Sequence, residues 1–255
     1  MYMISYSAIF SIIAYRLKEF FSDYQYSLLA PITTNILFIL VFLTIESYYT
    51  LSIETYSFVQ FIAPGLIIMI VAQESYDNPS VTLVNMKQIG SLDDWLLAPI
   101  SRIEILISLL VSSIIVGLVI SICNFIIFSF FIDIKIFNYI FFFYYLIIVI
   151  IFFSCLGCLV GILFNTWDTQ STFSNFFVTP LNFLSGTFFS ITYLPENFKY
   201  LLYYNPYYYV VKFFRNSFSE EFTFQVNQNI YILFFIFLSF TITAYIYFKG
   251  YNIIK

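Results

Sequence analysis

The sequence predicts an all-α integral membrane protein. Six transmembrane helices are expected, with an amino-terminal interfacial helix, a short amphipathic helix between the second and third spans, and two short helices before the last. Three observations carry this. Only 9% of the 255 residues are charged, whereas 61% are hydrophobic and 24% aromatic. A soluble domain carries roughly 25% charge, so this chain cannot cover a globular surface and its apolar excess must face lipid. Residues 105–132 and 136–164 contain no charge, and polar residues gather between such runs.

Residues 2–21 are apolar with scattered polar positions, followed by Arg16, Lys18 and Glu19 near their end. They are expected to lie in the interface with their charges toward water. The alternative is an extra span over 4–15, which is short for a bilayer. Because the charges follow the apolar part, no cleavable signal peptide is expected. The chain reads as one domain, 1–255, with spans at about 28–45, 58–73, 105–132, 136–164, 169–191 and 230–248. Pro31 falls in the first turn of the first span, where proline is tolerated. Pro64-Gly65 lies inside the second and predicts a kink unless neighbours restore the lost bonds. The third is roughly 40 Å long at 1.5 Å per residue, longer than the hydrocarbon core, so it should tilt or protrude. In the fourth, Ser154, Gly157, Cys158 and Gly161 form a small-residue face with a G-x-x-x-G, which permits close helix contact. Chance is the competing explanation, since glycine is common in membrane helices.

Pro180 and Ser185-Gly186-Thr187 interrupt the fifth span. Beyond it come Leu194-Pro195, then Asn205-Pro206, then Arg215, among many tyrosines. Tyrosine is enriched at headgroup level. Residues 196–218 are expected to form two short helices that dip into or lie on one membrane face, with Asn205-Pro206 as the break.

The chain is organised around 80–104, the longest polar interruption in its first half. It carries Lys87, Arg102 and the carboxylate pair Asp93 and Asp94. Leu92, Trp95 and Leu96 recur at i, i+3, i+4, one apolar face of a helix. Ser91 is the expected N-cap, with Asp94 where a capping box has Glu or Gln. Gly90 before and Pro99 after are helix punctuation. A short helix over 91–98, outside the bilayer, is therefore expected. It has two readings: a solvated connection with an interfacial tryptophan, or a docking helix that receives force from a soluble partner, against which the Leu92, Trp95 and Leu96 face would pack.

Six spans place both termini on one side. That side holds Arg16, Lys18, Lys87, Arg102, Lys249 and Lys255; the other holds Lys135, Lys199, Lys212 and Arg215. Three of the latter sit in the long fifth connection, so the short-loop comparison is six against one and favours cytoplasmic termini.

Several function classes recede. Histidine is absent, which removes the usual general base and commonest metal ligand. Cys123, Cys155 and Cys158 lie in apolar runs and read as packing residues. No Gly-rich phosphate loop, G-x-S-x-G or H-E-x-x-H occurs, and no basic patch suits nucleic acid. The span centres are expected to lack ionisable residues, which disfavours a proton-coupled carrier, with Glu74 and Glu104 near span ends as its remaining opening. Energy for transport should then come from another chain.

Three stretches, 61–80, 90–105 and 177–215, resemble the ABC-2 type permease family, the membrane subunits of ABC exporters. The last is the most specific: P-x-x-F-x-S-G-T-F and L-P, then an N-P break and an F-R. The resemblance covers nearly the whole length. It implies six spans, cytoplasmic termini, a cell (inner) membrane location, and a permease homodimer with two ATPase subunits, with lipid around it. It implies no cofactor on this chain, ATP and Mg belonging to the partner. It assigns Gly90, Ser91, Leu92, Asp93, Asp94, Trp95, Leu96 and Pro99 to a cytoplasmic coupling helix. Re-entrant, gating helices before the last span would involve Pro180, Ser185, Gly186, Leu194, Pro195, Asn205, Pro206 and Arg215. Met86-Lys87-Gln88 departs from the more charged loop of many relatives and puts individual contacts to the ATPase in doubt. The expected cargo is a drug, lipid or polysaccharide. The alternative is a stand-alone secondary carrier or channel.

Overall fold

The structure, a computed structural model, describes residues 5–48, 52–53, 56–98, 100–220 and 224–249. Pro99 and the side chains of Asp93 and Leu96 lie outside the described residues. The helices are α1 (Tyr6–Ser22), α2 (Ala30–Tyr48), α3 (Phe58–Ile89), α4 (Ser91–Leu97), α5 (Arg102–Ser129), α6 (Tyr139–Leu163), α7 (Trp167–Phe173), α8 (Thr179–Phe183), α9 (Glu196–Tyr204), α10 (Pro206–Asn216) and α11 (Val226–Lys249). A π-helical turn, Gln25–Leu29, leads into α2. Between α2 and α3, β1 (Ser52–Ile53) and β2 (Tyr56–Ser57) form a minimal antiparallel pair. Among the described residues, five helices are long and apolar enough to cross a bilayer: Gln25–Tyr48, α3, α5, α6 and α11.

α3 is the central helix. It packs against α2, α5, α6 and α10 and contributes Ile62, Leu66, Ile67, Val71 and Tyr76 to the main core. By contrast α2 and α11 keep large apolar residues such as Leu37, Val41, Phe234 and Phe237 exposed. Neighbouring apolar side chains left open in this way suit lipid and not water.

The second span is longer than the 58–73 expected. A capping box between Ser57 and Gln60 starts α3, and Gly90, at φ 81°, ends it. Pro64 and Pro79 lie inside without stopping it. The helix continues because its polar residues find partners: Gln73 Nε2 donates to Asp77 Oδ2 (2.7 Å) and Ser174 Oγ (2.9 Å). Residues 80–89 are thus the end of α3 and not a loop. Glu74, expected near a span end, lies with Asp77 midway between Phe58 and Ile89.

The fifth expected span, 169–191, is not one long helix. Helical structure runs 167–183 through a π turn at Ser174–Val178 and stops after Phe183. Ser185 Oγ donates to Asn182 O (2.5 Å), and Gly186 turns at φ 75°. A Cβ on Gly186 would meet the Tyr208 ring at 3.2 Å, and one on Gly65 would meet Thr187 Cγ2 at 2.9 Å. The breakers at 64–65 and 185–187, far apart in sequence, therefore belong to one close contact.

The small-residue face of α6 meets α3. A Cβ on Gly157 would strike Tyr76 O, and one on Gly161 would meet Leu83 Cβ at 2.8 Å. Polar links add to this packing. Asn35 Nδ2 donates to Asn124 Oδ1 (2.9 Å), joining α2 to α5, and Tyr145 OH donates to Asn229 Oδ1 (2.9 Å), joining α6 to α11. Such interhelical bonds average roughly 0.6 kcal/mol in membrane proteins, so close packing contributes more than polarity to holding these helices together.

α9 and α10 are separated at Asn205-Pro206, as the break predicts. Asn205 Oδ1 accepts from Tyr207 N (3.0 Å), its Nδ2 donates to Leu184 O (3.1 Å), and Pro206 fills the first helical position. α10 buries Tyr207, Phe213 and Phe214, and Tyr207 OH donates to Ile68 O (3.2 Å), about three turns into α3. α9 instead leaves Phe198, Tyr200, Leu201 and Tyr204 exposed.

Candidate functional site

The end of the bundle that carries α4 is a junction of many helices. Gly90 closes α3 and opens α4, its left-handed backbone letting the chain reverse within one residue. Ser91 is therefore the first helical residue and not the N-cap, and α4 has no side-chain cap. The cap expected at Ser91 occurs after the helix instead: Ser101 and Glu104 form a true capping box for α5.

α4 sits on its own bundle. Leu92 is buried in a cluster with Ile12, Leu83, Met86, Ile105 and Ile162, and Trp95 packs against that cluster. The Trp95 ring stands edge-on to Tyr15 of α1 at 6.4 Å. This corrects the expectation that Leu92 and Trp95 face outward toward a partner. The outward surface is Asp94 and Leu97, the latter 85% exposed, beside Ile89 at 74%.

Polar bonds tie the same end together. Lys87 Nζ donates to the carbonyls of Ile162 and Phe164 (3.1 Å to the latter), at the C-terminal end of α6, where a cation also meets the negative end of the helix dipole. Arg102 Nη1 donates to Phe248 O (3.1 Å) at the end of α11. Glu104 accepts from Ser5 N, which caps α1, and from Ser101 N (2.5 Å). Nearer the middle of α3, Arg16 pairs with Glu19 and donates to Asn78 O (3.2 Å). Burial lowers the Arg16 pKa, while Glu19 acts to raise it. α4 thus shares one packed cluster with residues of α1, α3, α5 and α6.

Residues 7–219 match the family model described as ABC-2 type transporter. The chain belongs to the ABC-2 type transporter family. It is a permease subunit, of a family whose membrane domain contains no ATPase. It is 28% identical over 211 residues to the inner membrane transport permease YadH of Escherichia coli K12, covering 83% of this chain and 82% of YadH. The proteins of that name from Escherichia coli O157:H7 and Shigella flexneri align with the same figures.

The opposite end of the permease gathers residues assigned to gating by resemblance. Arg215, from α10, donates through Nε to Phe61 O (2.9 Å) and through Nη2 to Gly186 O (2.9 Å) and Thr187 O (3.3 Å). Its guanidinium lies 3.7 Å from the Phe61 ring centroid, a cation–π contact. Arg215, Gly186, Ser185 and Asn205 come together here; Ser185 Oγ and Thr187 Oγ1 are 2.8 Å apart. Leu194 and Pro195 lie between the short helical turn Ile191–Tyr193 and α9. Pro180 is exposed on α8.

A third group escaped sequence reasoning. Gln170 Nε2 donates to Ser80 Oγ (3.0 Å) and Asp77 Oδ1 (3.1 Å), and Asn182 Nδ2 donates to Gln73 Oε1 (3.4 Å). Gln73/Asp77 and Glu74/Asn78 are i, i+4 pairs, so the signal was a polar helical stripe in AQESYDN.

Proposed function

We propose that this permease forms the cargo path of an ATP-driven exporter and borrows its motion from a separate ATPase that seats on α4. The support is the bracing of α4: its inner face is bound to several helices while Asp94, Leu97 and Ile89 remain outward. In this reading two permeases pair with two ATPase subunits, both termini are cytoplasmic, and the assembly lies in the inner membrane, as the name of YadH states for that protein. Lys87 and Arg102 stand at the end that carries α4, in keeping with the positive-inside rule. α9 and α10 act as re-entrant helices at the outer end, gated with the turn at Ser185-Gly186. ATP and Mg sit in the partner, and ATP supplies the differential affinity that shifts the permease between states. The cargo class is a drug, lipid or polysaccharide.

Leu97→Asp places a charge on the outward surface without touching the bundle. Co-purification of the partner ATPase is expected to weaken at least about tenfold, roughly 1.4 kcal/mol, with unchanged detergent stability. Trp95→Ala combined with Leu96→Ala loosens the inner seat at Trp95 and is expected to lower export more than ATPase retention. Undiminished ATPase binding and export by Leu97→Asp would exclude docking through this face.

A carrier working alone is the second reading, and the mid-helix position of Glu74 and Asp77 favours it. Its mark is transport by purified permease in vesicles without ATP or ATPase.

A further inference from the structure

Two adjoining cavities run along α3, and the coupling scheme uses neither. One, of about 440 Å³, lies among α2, α3 and α8; the other, of about 400 Å³, lies between α1 and α3. Both volumes fall within the range of small-molecule pockets. Tyr26 and Glu74 line both cavities, so the two meet at this pair.

The first cavity has an apolar wall of Phe38, Met69 and Ile70. Glu74 is the acid on it, and among the described residues its carboxylate has no hydrogen bond and no cation partner. Asn182 lines the same space. The residue is 1% exposed, and while Nδ2 reaches Gln73, Oδ1 has no partner among the described residues. A buried acceptor such as Asn182 Oδ1 normally carries a donor, and the half-buried Glu74 stands on the cavity wall without a cation beside it among the described residues. The second cavity adds Asp23 and Asp77, and its cation, Arg16, is already engaged by Glu19 and Asn78. The walls therefore present acceptors and negative charge beside apolar surface.

We propose that this paired cavity receives an amphipathic ammonium, with Glu74 as its counter-charge, Asn182 Oδ1 accepting one N–H, and Phe38, Met69 and Ile70 holding its apolar body. The assignment of that guest as cargo rests on the exporter reading; the site itself does not. An anion of the same body is excluded by charge, and a quaternary ammonium loses the bond to Asn182.

The test uses full-length purified permease in phosphatidylcholine nanodiscs, with naphthylethylammonium as a fluorescent probe and empty nanodiscs as the blank. Naphthylethylammonium is expected to bind saturably, its N-trimethyl form more weakly, and naphthylacetate not at all. Glu74→Gln is expected to weaken ammonium binding at least tenfold, with Glu74→Asp retaining most of it. Displacement of the probe by phosphatidylethanolamine would assign the guest amine to a lipid headgroup, and its retention would assign it to a free amphiphile; both uphold the site. Equal binding of naphthylacetate, or unaltered binding by a Glu74→Gln protein with a native size-exclusion profile, overturns it. Should Glu74→Gln misfold, the ammonium-to-carboxylate preference of the wild type alone decides. Because no ATPase is present, loss of the docking reading leaves this result standing, and the reverse holds too.

Discussion

Gly157→Val is expected to lower the apparent melting temperature of the permease in detergent by roughly 2–12 °C, the scale of an overpacking cost of about 1–3 kcal/mol in a chain of this size. The obstacle is backbone. A Cβ at 157 would collide with Tyr76 O, and Pro79 Cγ stands 2.9 Å away. No rotamer relieves a clash with a carbonyl, so α3 and α6 must part, and Gly161 against Leu83, one turn on, would be prised open with them. The cost is amplified by position, since α3 is the helix on which the core is built. Differential scanning fluorimetry against Ile122→Ala, at a 45% exposed position on α5, measures it. A Gly157→Val protein as stable as that control would show that α3 and α6 do not approach this closely.

Arg215→Ala is expected to cost roughly 3 kcal/mol, since hydrogen bonds to a charged group contribute about 1.5–3 kcal/mol each and do not add fully. The side chain joins three carbonyls, those of Phe61, Gly186 and Thr187, and covers the Phe61 ring. Its loss leaves those carbonyls without this donor and frees the turn at Gly186 from the start of α3. Faster limited proteolysis at 184–195 and a lower melting temperature are the readouts. Arg215→Lys is expected to recover less than half, because a single ammonium does not reproduce the planar fork that spans separate acceptors. Full stability in Arg215→Lys would mean that charge alone, not geometry, holds the turn.

The two variants separate what was legible in the chain from what was not. The glycine face of α6 was visible as spacing, but its partner was not, because a small-residue stripe states only that something comes close. Asn205-Pro206 marked the break between α9 and α10, since an Asn cap followed by Pro acts locally. Arg215 stood out by resemblance, yet its three acceptors lie 28 to 154 positions away. The end of α3 was misplaced because a run of Gln, Glu, Asp and Asn reads as a loop unless its partners on α7 and the following π turn are known. The face of α4 was misassigned for a related reason: periodicity shows that Leu92 and Trp95 share a side but not whether that side meets a partner or the chain's own bundle.

Composition alone made this a membrane protein, because so few charges cannot solvate the surface of 255 residues. Local chemistry alone placed the short helix after Gly90 and the Asn-Pro break, because capping and backbone restriction act over a few residues. The tertiary structure decided the rest: that α3 continues to Ile89, that Leu92 turns inward, and that Glu74 and Asn182 face one cavity. Those outcomes depend on whether a polar or apolar group finds its complement on another helix, and that complement is brought near only by folding.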